Sequence, residues 1–203
     1  MRVINYDKEM KRMLTLFAES GESARVLLHS CCAPCSTACI ERLRELADIT
    51  VYYYNPNLDT DKEYYLRSNE QVAFCEREDI PCIVAEYRPE EFMSAAKGFE
   101  NEIEGGARCL KCFYLRLKKT AEKARELGVD YFATTLTVSP LKSAPKINEI
   151  GFLIEKETDV KYLPTDFKKS NGYLRSIELS KEMNMYRQNY CGCTFSKNSV
   201  PND

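Results

Sequence analysis

Much of what common enzyme classes require is missing from this chain. It has one histidine, His29. Neither an HExxH metalloprotease helix nor a Ser-His-Asp hydrolase set can be assembled around it, so hydrolase chemistry has little to stand on. No apolar run approaches the roughly 20 residues of a bilayer-spanning helix. The opening stretch MRVINYDKEMKRML has no apolar core and no small-residue cleavage site, so it does not read as a secretory signal. The expectation is a cytoplasmic protein with no membrane partner. Charge of one sign is also lacking: 29 Lys and Arg against 31 Asp and Glu leave a net charge of −2, which offers no general attraction for nucleic acid.

Two further absences narrow the chemistry. The loop after the first apolar run contains no glycine, so it is not a glycine-rich phosphate loop. The CxxCxxC run of ferredoxin-like and radical enzymes does not occur either.

Cysteine is what the chain has in excess: ten in 203 residues. In a reducing compartment such richness points to metal binding or redox catalysis rather than disulfide staples, which a domain of this length does not need. The distribution is uneven. LLHSCCAPCSTAC (27–39) holds Cys31, Cys32, Cys35 and Cys39. GGARCLKC places Cys109 and Cys112 in a CxxC at the start of a predicted helix, and YCGC places Cys191 and Cys193 in a CxC near the C-terminus. Cys75 and Cys82 stand apart and read as buried small hydrophobes.

Apolar periodicity predicts helices over 7–19, 36–47, 61–78, 89–97, 109–127, 145–157 and 172–185. Short β-branched and aromatic runs predict strands at 25–30, 49–54, 82–87, 129–135 and 160–164. The alternation argues for a single α/β domain over 1–203, a parallel sheet flanked by helices. Within it, 1–20 reads as an N-terminal helical extension, 88–125 as a small helical insertion and 166–196 as a C-terminal redox segment. In such folds the active crevice lies beyond the carboxyl ends of the strands, where VLLH runs into SCCAPC.

Zinc and iron–sulfur sites both use four thiolates. Adjacent cysteines diverge too much to share one small ion comfortably but can bridge different irons of a larger cluster. Cys31 and Cys32 with Cys109 and Cys112 therefore form a candidate [4Fe–4S] set, with a zinc-binding structural site as the alternative. Cys32-x-x-Cys35 at a helix start supports a third class, a thiol–disulfide oxidoreductase. The CxC at 191–193 reads as a redox-active pair or as two further metal ligands. His29, ending a buried strand, reads as a hydrogen-bonded core residue beside the cysteine loop. Residues 107–125 carry seven basic side chains against Glu122 alone, a solvated amphipathic face or a basic surface.

Five strings together resemble one family: HSCCAPC (29–35), YNPN (54–57), GGARCLKCFYLRL (105–117), TTLTVSPLK (134–142) and DFKKSNGYLRSIELSKEMNMYRQNYCGCTFS (166–196). They resemble QueH, the cobalamin-independent epoxyqueuosine reductases, over roughly residues 25–196. The resemblance implies a fold similar to the adenine-nucleotide α-hydrolase-like (HUP) group. It implies a tRNA-modifying reductase that converts epoxyqueuosine to queuosine at the wobble position by two-electron epoxide reduction, the last step of queuosine biosynthesis. It also implies a [4Fe–4S] cluster on Cys31, Cys32, Cys109 and Cys112, a redox-active disulfide between Cys191 and Cys193, and an additional mononuclear iron or other divalent metal, for which Cys35 and Asp166 are the candidates. From residue types alone Asp166 reads as a helix cap or an ion-pair partner of Lys168 or Lys169. The implied partners are tRNA bearing epoxyqueuosine and an unidentified electron donor. The basic residues of 107–125, with Lys168, Lys169, Arg175 and Arg187, would then meet tRNA phosphates. One of Tyr173, Tyr186 and Tyr190 would stack an extruded base, while Tyr52, Tyr53 and Tyr54 read as core and strand packing.

Overall fold

The computed structural model describes residues 4–197. Five strands form one sheet: β1 (Ala24–Ser30), β2 (Ala47–Tyr53), β3 (Cys82–Val84), β4 (Tyr131–Thr134) and β5 (Lys161–Tyr162). Their order is β3-β2-β1-β4-β5, and every pairing is parallel. The middles of the central strands are mostly apolar because both faces of the sheet are covered. Val26 and Leu28 of β1 join Val51 of β2 and Ala133 of β4 on one face, with Met10, Ile40, Leu43 and Phe74 packed over them. Leu27, Tyr52 and Phe132 point the other way, toward Leu117, Ala121, Ile147 and Ile154.

The first face is covered by α1 (Tyr6–Ala18), α2 (Ala33–Leu43) and α3 (Asp61–Arg77), with α7 (Gly172–Glu182) packed on α2. The second is covered by α5 (Ala107–Leu127) and α6 (Ala144–Thr158). Several helix ends have local causes. The side chain of Thr60 caps α3 by accepting from Glu63 N–H, and Ser143 caps α6 in the same way through Lys146 N–H. Helix α5 ends at Gly128, which takes the left-handed conformation that glycine tolerates best. Of the segment 88–125, α5 carries the crossover from β3 to β4. The short α4 (Pro89–Ala96) and the turn to Gly106 are what this segment adds to the doubly wound plan.

The predicted elements occur in the predicted order, with differences in extent, and the structure adds the short helical turn Thr135–Val138 and a four-residue helix, Thr194–Lys197. The helix predicted from residue 36 begins at Ala33, because Pro34 fits its first turn. The strand predicted over 82–87 ends at Val84, and that over 160–164 is only Lys161–Tyr162. Both are edge strands with a single neighbour to register against.

The chain winds from β1 to β2 and β3 on one side and from β4 to β5 on the other. The split between β1 and β4 is the topological switch point, where the connections leave in opposite directions and open a crevice at the carboxyl ends. Residues 31–32, the short helical turn Thr135–Val138 and the C-terminal stretch from Arg187 border it.

Candidate cysteine-lined active site

Strand β1 ends at Ser30 and α2 begins at Ala33, so Cys31 and Cys32 occupy the turn. Cys32 takes an extended conformation at the helix N-cap position. One turn of helix brings Cys35 back beside them. The sulfurs of Cys31, Cys32 and Cys35 lie within 4.8 Å of one another, and Cys31 and Cys32 are 3.9 Å apart. Thr135, just after β4, holds Cys31 from both sides. Its hydroxyl accepts from Cys31 N–H at 3.2 Å and donates to Cys31 Sγ at 3.4 Å.

These three cysteines line a cavity of about 410 Å³ together with Cys191, Arg67, Arg116 and Lys142. Cys109, Cys112, Cys191 and Cys193 line the adjacent pocket, and Cys191, Glu104, Leu141 and Lys142 belong to both walls. The three cysteine groups, from β1, α5 and the C-terminus, thus line two pockets joined through Cys191, and among the described residues only Cys31, Cys32 and Cys35 are grouped within 4.8 Å of one another. Cys193 is buried against Phe92, Ala96 and Cys112. Both thiols of the CxC are free.

The charge around the sulfurs is positive. Cys31 is held well below the ordinary thiol range, first by hydrogen bonds from Cys32 and Cys35 and then by the charges of Arg116 and Lys142. Cys32 is pushed up to about 12, chiefly because it serves Cys31 as donor. Cys35 is raised for the same reason. One thiolate shared by three sulfurs is an arrangement that favours a bound cation. Burial works against the charge of Lys142, but the sulfurs of Cys191, Cys31 and Cys35 outweigh it and raise its pKa.

Arg116 is the residue that sequence reasoning misplaced. It was expected at tRNA phosphates, yet it is only 2% exposed and points inward. Its guanidinium donates to Asn55 Oδ1, lies 3.3 Å from His29 Nε2 and reaches Cys112 Sγ at 4.0 Å. Asn55 in turn donates to Ser30 O at 2.9 Å, tying the arginine to the end of β1. A signal was present: Arg116 lies four residues after Cys112, on the same face of α5.

Arg108 needs the same correction, and several other basic side chains are already engaged within the chain. Arg108 is buried and donates to the carbonyls of Phe99, Glu100 and Glu102. Lys118 and Lys123 pair with Glu157 and Glu126, Arg175 with Glu41, and Lys168 donates to the carbonyls of Thr137 and Lys142. Lys111 and Arg125 stay exposed on α5, Lys119 is half-buried beside Glu122, Lys169 is exposed, and Arg187 lines the cavity while donating to Ser176 O and Ser180 Oγ. Tyr173 and Tyr190 line it as well, whereas Tyr186 is not part of its wall. Tyr52, Tyr53 and Tyr54 are buried.

Cys39 and Cys75 are core residues, and Cys82 is half-buried at the sheet edge. Asp166 is not brought into the sulfur group. Its buried Oδ1 stands 3.5 Å from Lys168 Nζ, so the carboxylate is held in an ion pair.

His29 is fully buried, with Nδ1 2.9 Å from Thr134 Oγ1 and Nε2 3.1 Å from Tyr54 O. Burial, and then the charge of Arg116, push its pKa down to about 3. The unfolded chain therefore binds a proton here that the folded chain refuses. Stability from this group is complete above about pH 6.5 and falls as pH drops toward 3. The expected loss is on the order of 3 kcal/mol by pH 4. In thermal melts of the metal-free protein, His29→Gln should flatten the acid side of the Tm profile. An unchanged profile would show that the histidine is not the acid-labile group.

Comparison with known proteins adds a second line of evidence. The family model described as epoxyqueuosine reductase QueH matches residues 26–199. The chain is similar to "Epoxyqueuosine reductase QueH" of Staphylococcus epidermidis, 45% identical over 201 residues, which cover 95% of this chain and 84% of that one. It is 44% identical to the protein of that name from Streptococcus pyogenes over 199 residues, 95% of this chain and 78% of that one. The Thermotoga maritima protein of the same name is 38% identical over 174 residues, 84% of this chain and 89% of that one. Among solved structures, the U34-tRNA thiolase NcsA from Methanococcus maripaludis with its [4Fe-4S] cluster superposes with a TM-score of 0.54 at 14% identity, covering 93% of this chain and 67% of that one. At that identity the likeness establishes the fold.

Proposed function

This chain belongs to the QueH family of epoxyqueuosine reductases, and from that premise we propose that its cysteine crevice is where epoxyqueuosine in tRNA is reduced to queuosine. The reaction converts the epoxide to an alkene. Two C–O bonds break, two electrons and two protons enter, and the oxygen leaves as water. The observation that carries the assignment to this crevice is the convergence of seven cysteines on one cavity and its adjoining pocket.

The donor set suits an iron–sulfur cofactor: soft sulfur ligands, one depressed thiol and two cations that offset added negative charge. In this reading Cys31, Cys32, Cys109 and Cys112 hold a [4Fe–4S] cluster, which when bound supplies single-electron transfer. Cys35 and Asp166 hold an additional mononuclear iron or other divalent metal. Asp166 would have to leave its ion pair with Lys168 to reach a metal beside Cys35.

The remaining roles fall to the chain itself. Cys191 and Cys193 are the proposed redox pair. Closing a disulfide between them releases two electrons and two protons, the number the epoxide consumes, and an external electron donor must reopen it. Tyr173, with the Arg187 guanidinium 5.5 Å from its ring centre, and Tyr190, with that of Arg67 at 5.1 Å, form aromatic walls for an unpaired base. Backbone phosphates are left to Lys111, Arg125, Lys169 and Arg187, few enough contacts to give a shallow salt dependence of tRNA binding.

The test is anaerobic purification, followed by iron and acid-labile sulfide per chain and an assay on epoxyqueuosine-bearing tRNA. Iron and sulfide near four each, with queuosine formed, is the expected result. Zinc near one without sulfide, persisting after reconstitution, would overturn the cluster assignment in favour of a structural metal. Cys191→Ser should keep the iron and sulfide yet lower turnover. Undiminished turnover would remove the pair from the electron path.

A further inference from the structure

Asn57 and Arg108 are each 3% exposed, and each carries a buried polar atom with no hydrogen-bond partner, Asn57 Oδ1 and Arg108 Nε. Both line the pocket of Cys109, Cys112, Cys191 and Cys193. Leaving a buried polar group unsatisfied costs about 1–3 kcal/mol, and such groups are few in folded chains. Two in one pocket call for a shared cause.

Local structure does not supply one. Asn55, two residues earlier, uses its carboxamide fully, donating to Ser30 O and accepting from Arg116. Asn57 makes no such bond although it is as deeply buried. Arg108 spends Nη1 on three backbone carbonyls, and its guanidinium sits 4.4 Å from the ring centre of Phe195. These contacts fix the guanidinium and leave Nε–H unused at the pocket wall.

We propose that Asn57 and Arg108 donate hydrogen bonds to the sulfurs of an iron–sulfur cluster bound through Cys109 and Cys112, and thereby raise its reduction potential. This rests on the cluster reading above. Thiolate and sulfide accept hydrogen bonds, so a pocket lined by them calls for donors. Arg108 Nε–H is one. The oxygen and nitrogen of a carboxamide are nearly the same size, so half a turn about the last bond of Asn57 puts NH₂ in the buried place of Oδ1. Such bonds favour the more negative, reduced state of a cluster, which raises its potential. Asn57 acts here as a tuning residue and touches no reacting atom of the substrate.

The experiment compares the parent protein with Asn57→Leu, which keeps the volume and removes the donor, and Asn57→Asp, which leaves only acceptors. Both are reconstituted anaerobically and titrated with dithionite, followed by electron paramagnetic resonance without tRNA. The expected result is a midpoint potential more negative in Asn57→Leu than in the parent, and more negative still in Asn57→Asp. Equal potentials in fully loaded proteins would overturn the proposal alone. A parent that takes up no iron and sulfide would overturn the cluster reading and this proposal with it. Thermal melting of the metal-free proteins gives a readout independent of loading. Because the Asn57 side chain makes no hydrogen bond among the described residues, Asn57→Leu should melt no lower than the parent. A lower Tm would assign the residue to the fold and overturn the proposal.

Discussion

Arg116→Met is expected to lower cofactor retention or turnover by about 10–100-fold, the range typical of groups that support metal ligands without binding the metal. The side chain has no carboxylate partner. Burial works against its charge, and the sulfurs of Cys112, Cys31 and Cys191 more than offset that. Methionine would fill the volume but remove the donor to Asn55, the neighbour of His29 and the cation beside Cys31. Two measurements separate this from general damage. Iron and sulfide per chain should fall. In metal-free protein, alkylation of Cys31 near neutral pH should slow, because its thiol loses a stabilising charge. Arg116→Lys should recover part of the effect, since an ammonium keeps the charge but not the fork that reaches Asn55 and Cys112 together. Arg125→Met, on the exposed end of the same helix, is the control and should change neither quantity. Normal iron content and normal Cys31 reactivity in Arg116→Met would remove the arginine from the site.

Gly192→Ala is the second large effect. Gly192 has φ +110°, a conformation L side chains rarely adopt, and an added Cβ would stand 2.3 Å from Leu58 Cδ2 and 3.0 Å from Arg67 Nη1. Its carbonyl also accepts from Asp59 N–H at 2.9 Å, which pins the CxC turn to the loop after β2. Alanine must push that turn away from the crevice and take Cys191 out of both walls. Turnover should drop by at least tenfold while the metal-free Tm changes by only a few degrees, because the sheet and its two apolar layers lie elsewhere. A large fall in Tm would mean that the C-terminal segment supports the core, and undiminished turnover would mean that the turn has room to adjust.

These two residues mark what could and could not be read in advance. The cysteines were legible because cysteine pairs at short spacing are rare without chemistry behind them. Their position was legible because VLLH reads as a buried parallel strand, whose carboxyl end borders the crevice of such a fold. The order of elements followed from apolar periodicity, and with it the two-layered core, since strands covered on both faces read as nearly continuous apolar runs. The family was legible from the five strings, and the match over residues 26–199 bears it out.

Electrostatic roles were not legible. Arginine in a lysine-rich helix looks like solvent-facing charge, and only packing decides otherwise: α5 against β1 and β4 turns Arg116 inward, and the turn after α4 with Phe195 covers Arg108, while Lys111 and Arg125 face out. Periodicity places residues on a helix face but does not say which end of that face meets a polar crevice. The trio of Cys31, Cys32 and Cys35 depends on where α2 starts, which Pro34 moved three residues earlier than the apolar pattern implied. The meeting of Cys191 with sulfurs more than 75 residues away in sequence depends on a tail with no regular structure between Met183 and Cys193. Local sequence determined the strands, the helices and the reactive residue types. Which charges and sulfurs face one another was decided by long-range packing, because burial, and with it the strength of every charge in the crevice, exists only once the layers have closed.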